Sequence, residues 1–330
     1  NVLSGGRYVK LGVIVGAAVL VLAVWGSLLL SARGGTRAAA PEPPGGALPS
    51  ALDGYRADLG YLPDDSTLGF VEIPGGPFTM GSDPRVDPMA FEIERWSRER
   101  LQGVVELPTF RLARTEVTVA QYAAFVRDAG HPVVDARALD APPDRPVAFV
   151  SWTDALAYAR WLDATLRARR DALPPALGRL VASGWTVTLP SEAQWEKAAR
   201  GGDGRIWPWG GEPRADRARF GTGSTAPVGS FPCPECPFPL ADMAGNVWEW
   251  TRSPFQPYPW DDADDEEGLD AEALWVMRGG SFGDPAQHVR AACRPRAPGS
   301  GRAGRAATRP PAEARPADPD PRPPRAGAPR

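Results

Sequence analysis

The chain has 330 residues and a formal net charge of −3, with 43% hydrophobic residues. That length allows one large domain or two small ones, and the near-neutral balance leaves no electrostatic footprint for nucleic acid. Only two histidines are present, His131 and His288, which argues against a histidine-rich iron or zinc centre.

Residues 11–32 carry no charge. At about 1.5 Å per residue, a helix of that length crosses the ~30 Å hydrocarbon layer of a membrane. Arg7 and Lys10 flank one end, and Arg33 and Arg37 the other, so the positive-inside rule does not orient it. A cleaved signal peptide ending near Ala38-Ala39-Ala40 is the rival reading, but the apolar run is too long for one. The expectation is a short cytoplasmic stub at 1–10, a retained membrane anchor at 11–32 and a main domain outside the cytoplasm. Asn1 in place of methionine points to a processed or partial N-terminus. In some bacterial composite proteins a cytoplasmic kinase precedes such an anchor, so an upstream kinase domain is expected by analogy alone.

Residues 33–65 are rich in Pro, Gly and Ala with no apolar period, and read as a linker. The globular domain is expected at 66–294. All tryptophans but Trp25 lie there, and large aromatics bury enough area to close a loop-rich core. Strands are expected at Gly69–Ile73, Phe110–Thr115, Trp185–Leu189 and Ala273–Arg278. Three helices are announced by hydroxyl caps at Thr118, Ser151 and Ser191, with Gln121 and Gln194 placed to complete capping boxes and Asp154 a weaker partner. Val119, Tyr122, Ala123 and Val126 recur at helical spacing, as do Trp152, Ala155, Leu156 and Ala159. Gly130 and Gly201 suit helix ends. Residues 295–330 contain no aromatic and no aliphatic larger than Ala. Such a segment cannot offset its ordering entropy by burial, and a disordered tail is expected.

The stretch Asp242-Met243-Ala244-Gly245-Asn246-Val247-Trp248-Glu249-Trp250 is too aromatic for an ordinary loop and too polar for an ordinary strand. It joins Phe70–Gly81, Glu116-Val117-Thr118, Leu189–Glu196 and Arg278-Gly279-Gly280-Ser281-Phe282 in one order. Together these motifs, spanning Phe70 to Arg294, resemble the formylglycine-generating enzyme family, the sulfatase-modifying factor domain. The resemblance implies an α+β, C-type-lectin-like fold with little regular secondary structure.

The resemblance also implies a structural calcium held by Asp242, Gly245, Val247 and Glu249. Calcium takes about six to eight oxygens from carboxylates and carbonyls on a curved loop, which suits this bend. The plain alternative is that both carboxylates bond loop amides without metal. At the family's second calcium site, Ala218-Arg219-Phe220 offers an arginine where an oxygen is needed, and that site is expected to be lost. The acidic run Asp261–Glu267 reads as a solvated loop.

In the resembled enzyme, copper(I) on two cysteine thiolates activates oxygen to convert a substrate cysteine to formylglycine. Soft thiolates suit that ion. The family's spacing after Arg278-Gly279-Gly280-Ser281 puts Asp284 and Val289 at those positions, so copper is not expected. A sister branch uses a three-histidine iron site, which two scattered histidines cannot supply. Cys293 reads as a buried structural thiol. Cys233-Pro234-Glu235-Cys236 is open to a disulfide, a redox couple or half a metal site, and a loop-stapling disulfide suits an oxidising exterior. Arg278 and Ser281 match the groove that receives substrate peptide, or else belong to a turn that the fold needs.

Two readings follow. One is a membrane-anchored, extracytoplasmic, non-catalytic module that binds or senses a peptide or glycan. The other is a formylglycine-generating oxidase, or a related oxygen-using metalloenzyme, with a rearranged site. The resembled domain closes with a Gly-Phe-Arg strand that is absent after Arg294, and an Arg/Pro/Ala/Gly tail is what a GC-rich gene yields out of frame. The tail is therefore also expected to be a frameshift product.

Overall fold

A computed structural model describes residues 53–266, 273–299, 306–307 and 309–314. The proposed anchor at 11–32 lies outside them. Among the described residues, no helix is long and apolar enough to cross a membrane.

The architecture is α+β with several small sheets. A hairpin of β1 (Tyr55–Arg56) and β2 (Leu62–Pro63) comes first, followed by β3 (Phe70–Ile73), β4 (Gly76–Met80), β5 (Gly103–Leu107) and β6 (Phe110–Ala113). Helices α1 (Val119–Ala129), α2 (Trp152–Ala168) and α3 (Pro175–Ala182) lead to β7 (Trp185–Val187) and α4 (Glu192–Arg200). A long irregular stretch then reaches β8 (Trp248–Pro254), the single-turn α5 (Ala263–Glu266) and β9 (Leu274–Arg278). The chain adds β10 (Arg296–Pro298), β11 (Ala306–Ala307) and β12 (Pro311–Ala314).

Local chemistry sets the helices. Thr118, Ser151 and Ser191 each cap a helix, and all three capping boxes are closed, by Gln121, Asp154 and Gln194. Asp154 therefore completes its box as fully as the two glutamines. Gly130 and Gly201 end α1 and α4 at positive φ. Trp152, Ala155, Leu156 and Ala159 face inward, and the Trp152 ring stacks on Trp275 with centroids 3.9 Å apart. Helix α3 was not foreseen. It follows a proline and buries only Leu177 fully, so its apolar period is faint.

Two four-stranded sheets carry the site. One has the order β10-β9-β8-β11 and the other β3-β6-β12-β7. Strand β12 pairs antiparallel with β6 on one side and β7 on the other, with Ala312 opposite both Arg111 and Val187. Strand β11 pairs parallel with β8, setting Ala307 opposite Glu249.

Two expectations are corrected here. The segment read as a linker reaches into the domain, because Leu59 and Leu62 are buried in the core beside Phe70 and Tyr158. The segment read as a disordered tail contributes three strands. Its order comes from backbone pairing and from charged contacts: Glu313 accepts hydrogen bonds from Arg252 and Gln194, and Arg309 is fully buried.

Asp265 of α5 is almost fully buried, and burial pushes its carboxyl up to about 7. The folded state therefore holds this proton more tightly than the unfolded chain does. Stability should fall as pH rises from the unfolded carboxylate range, near 3.8, through about 7, and then level off. Asp265→Asn is expected to flatten that slope, so its advantage in thermal midpoint over the parent should grow between pH 5 and about 8.

Candidate functional site

The Asp242–Trp250 segment bends sharply before entering β8. Asp242, Gly245 and Asn246 all have positive φ, at 57°, 77° and 62°. A Cβ on Gly245 would come within 2.3 Å of the Arg219 carbonyl oxygen, so only glycine fits. The bend is stitched to three other segments. Asn246 N–H donates to Arg219 O at 2.8 Å, Asn246 Oδ1 accepts from Ala226 N at 2.9 Å, and Gly245 N–H donates to Gly279 O at 2.8 Å.

Beyond the bend, Glu249 is fully buried. Its Oε2 accepts from the Trp195 indole at 2.8 Å and from Arg309 Nε at 3.1 Å. Its Oε1 accepts from Arg309 Nη2 at 3.0 Å. Arg309 also donates to the carbonyls of Ala113, Arg114 and Ala241. The predicted calcium ligand set does not fit here as it stands. Both Glu249 oxygens already accept from the Arg309 guanidinium, and Oε2 also accepts from the Trp195 indole.

Glu116 and Asp242 adjoin this pair. Both are buried, and among the described residues the two carboxyls have only each other for Glu116 Oε1, Glu116 Oε2 and Asp242 Oδ1. Asp242 Oδ2 accepts from Gly229 N at 2.6 Å. Burial raises Asp242 to about 6, and burial together with the neighbouring Asp242 and Glu249 charges raises Glu116 well above the carboxylate range. Three carboxyls thus share one guanidinium. Neither Glu116 nor Arg309 was singled out as a site residue from sequence. The available signals were an acid set between Thr115 and the apolar Val117 ahead of a helix cap, and one arginine among many in the tail.

The Arg278-Gly279-Gly280-Ser281 turn sits against the bend. A Cβ on Gly280, at φ 77°, would meet Val289 at 2.5 Å, so the turn needs its glycine. Arg278 and Ser281 are both fully buried, as a turn that the fold needs would place them. Arg278 donates to Glu192 at 2.9 Å and the Tyr258 hydroxyl at 3.2 Å, and pairs with Glu196 at 3.0 Å. Arg294 donates to Glu192 at 2.7 Å, Arg200 to Glu196 at 2.7 Å, and Arg290 to Asp87 and Glu94. Arg278, Arg294 and Arg200 thus meet Glu192 and Glu196, and Arg290 meets Asp87 and Glu94.

At the expected copper positions, Asp284 accepts from Ser281 N at 3.0 Å and from the Ser281 hydroxyl. Val289 is buried and has no donor atom. Cys293 is buried, and its thiol is pushed up to about 12. Cys233 and Cys236 form a disulfide. Among the described residues, no group of three or more His, Cys, Asp or Glu is arranged to hold a metal ion. The Arg219 side chain, at the second expected calcium site, donates to Ser224 O at 2.9 Å.

Replacing Arg309 with Met should cost about 3–5 kcal/mol, the penalty for stranding a buried charge. Glu249→Gln in the same chain should recover part of that loss, giving a coupling of about 0.5–3 kcal/mol in a double-mutant cycle read by urea unfolding.

A family model described as sulfatase-modifying factor enzyme 1-like domain matches residues 56–309, and so ends on Arg309. A formylglycine-generating enzyme of Thermomonospora curvata is 30% identical over 67% of this chain and 84% of its own length. The inactive C-alpha-formylglycine-generating enzyme 2 of Bos taurus is 28% identical over 72% of this chain and 83% of its own. A hercynine oxygenase of Mycolicibacterium smegmatis is 30% identical over 57% of this chain, which spans only 46% of that protein. Among solved structures, PvdO of Pseudomonas aeruginosa aligns with a TM-score of 0.56 at 24% identity, covering 74% of this chain and 94% of that one, a likeness of fold alone. With its motifs, its α+β fold of several small sheets and a match from the first hairpin to Arg309, the chain belongs to the sulfatase-modifying factor, or formylglycine-generating enzyme, family.

Proposed function

We propose that this protein is a membrane-anchored, extracytoplasmic member of the family that binds or senses a peptide or glycan without catalysing formylglycine formation. The observation that carries this reading is the pair Asp284 and Val289. Asp284 is tied to the Ser281 turn, and Val289 packs against Gly280. Neither supplies the soft donor that copper(I) requires. The existence of relatives named as inactive is consistent with this reading. The Cys233–Cys236 disulfide suits an oxidising compartment, and the uncharged run at 11–32 is long enough for an anchor.

A binding role needs a surface. A cleft of about 380 Å³ lies between the first hairpin and the start of the Glu116 segment, lined by Tyr55, Leu62, Asp65, Arg114, Thr115 and Tyr158. Its volume and its mixture of apolar and charged groups suit a small or side-chain-sized ligand.

The oxidase reading would need metal on Cys233, Cys236 and Cys293. The first two are joined to each other, and the third is buried. The test is to supply the full chain with copper(I), oxygen and a cysteine peptide, and to follow aldehyde by trapping with an aminooxy probe and mass spectrometry. The expected outcome is unmodified peptide. Aldehyde accumulation above the copper-only control would overturn the non-catalytic reading.

A further inference from the structure

We propose that Cys233 and Cys236 form a reversible redox centre that exchanges with low-molecular-weight thiols, and that the bond is not a structural staple. This inference goes beyond the binding role and does not depend on it.

The bond closes a turn of four residues, Cys233-Pro234-Glu235-Cys236. A cross-link stabilises chiefly by restricting the unfolded chain, and that effect shrinks with the length of the closed loop. A four-residue loop is close to its minimum. The turn is also held by contacts that do not involve sulfur. Cys236 N–H donates to Cys233 O at 3.2 Å. Arg205 donates to the Glu235 carbonyl at 2.7 Å. Arg217 and Arg214 donate to the Glu235 carboxylate at 2.7 and 3.3 Å. Every one of these bonds is available to the dithiol form, so cleavage need not release the loop.

Access and isolation point the same way. Both cysteines are partly exposed, whereas Cys293, the remaining thiol, is 2% exposed. Burial lifts its pKa, so it neither competes for a reagent nor resolves a mixed disulfide. Cys233 leans on the apolar cluster of Trp207, Trp209 and Val289, which gives the sulfur state an optical neighbour.

The chemistry balances with a thiol as reductant. A thiolate attacks one sulfur, the S–S bond breaks, and its electron pair leaves on the other sulfur, which takes a proton. A second thiolate then attacks the external sulfur of the mixed disulfide. It releases the oxidised thiol dimer and leaves both cysteines reduced. Two electrons pass to the protein, and the reverse sequence oxidises two thiols.

The test uses the full chain in a series of glutathione and glutathione-disulfide buffers, quenched with acid, labelled with maleimide and weighed intact. The expected result is a smooth, reversible change from no label to two labels, with Cys293 unlabelled until the protein is denatured. Tryptophan emission should change in step. The reduced form and a Cys233→Ser/Cys236→Ser variant should both keep a cooperative thermal transition near that of the parent. Labelling only after denaturation, loss of that transition on reduction, or failure of the double variant to fold would each show a structural staple and overturn the proposal.

Discussion

The fold closes around one buried ion pair. Arg309 reaches Glu249 from the far end of the chain and spends its remaining donors on the carbonyls of Ala113, Arg114 and Ala241. Trp195 of α4 satisfies the same carboxylate from another side. Four segments distant in sequence, β6, α4, the bend before β8 and the C-terminal strands, are thus fixed relative to one carboxylate. Such a pair adds little net stability over an apolar substitute, but removing either partner is costly. That asymmetry makes the chain beyond Arg294 part of the domain.

The two buried charge clusters differ in kind. Around Arg278, three arginines face Glu192 and Glu196, and Arg290 faces Asp87 and Glu94. The cluster around Glu249 sets one arginine against three carboxyls. Its surplus falls on Glu116 and Asp242, and their raised pKa values reflect the cost of charging buried carboxyls. The family resemblance led to the same place, but through a metal. In this chain a guanidinium neutralises Glu249, and the remaining acids answer to protonation.

Much of the domain was legible in the sequence because its signals are local. A hydroxyl followed three residues on by Gln or Asp closes a capping box whatever surrounds it, and the three boxes were found. The Gly-Asn bend and the Arg-Gly-Gly-Ser turn were equally plain, since close backbone approach admits no side chain at Gly245 or Gly280. What failed was inference from apolar content. Pro311-Ala312-Glu313-Ala314 has no β-branched or aromatic residue, yet it lies between β6 and β7, where tertiary pairing overrides propensity. The burial of Arg278 was not legible, because the acids of α4 that pair with it lie 86 and 82 residues away in sequence.

The measurement that bears most directly on this account is native-state hydrogen exchange, followed by mass spectrometry on peptides covering 309–314 and β6. If Arg309 and β12 belong to the core, the amides of β12 will exchange as slowly as those of β6, through the global unfolding event. If the β12 peptide exchanges at the rate of an unprotected chain while β6 stays protected, the C-terminal segment is not part of the fold, and the ion pair described here does not hold it together.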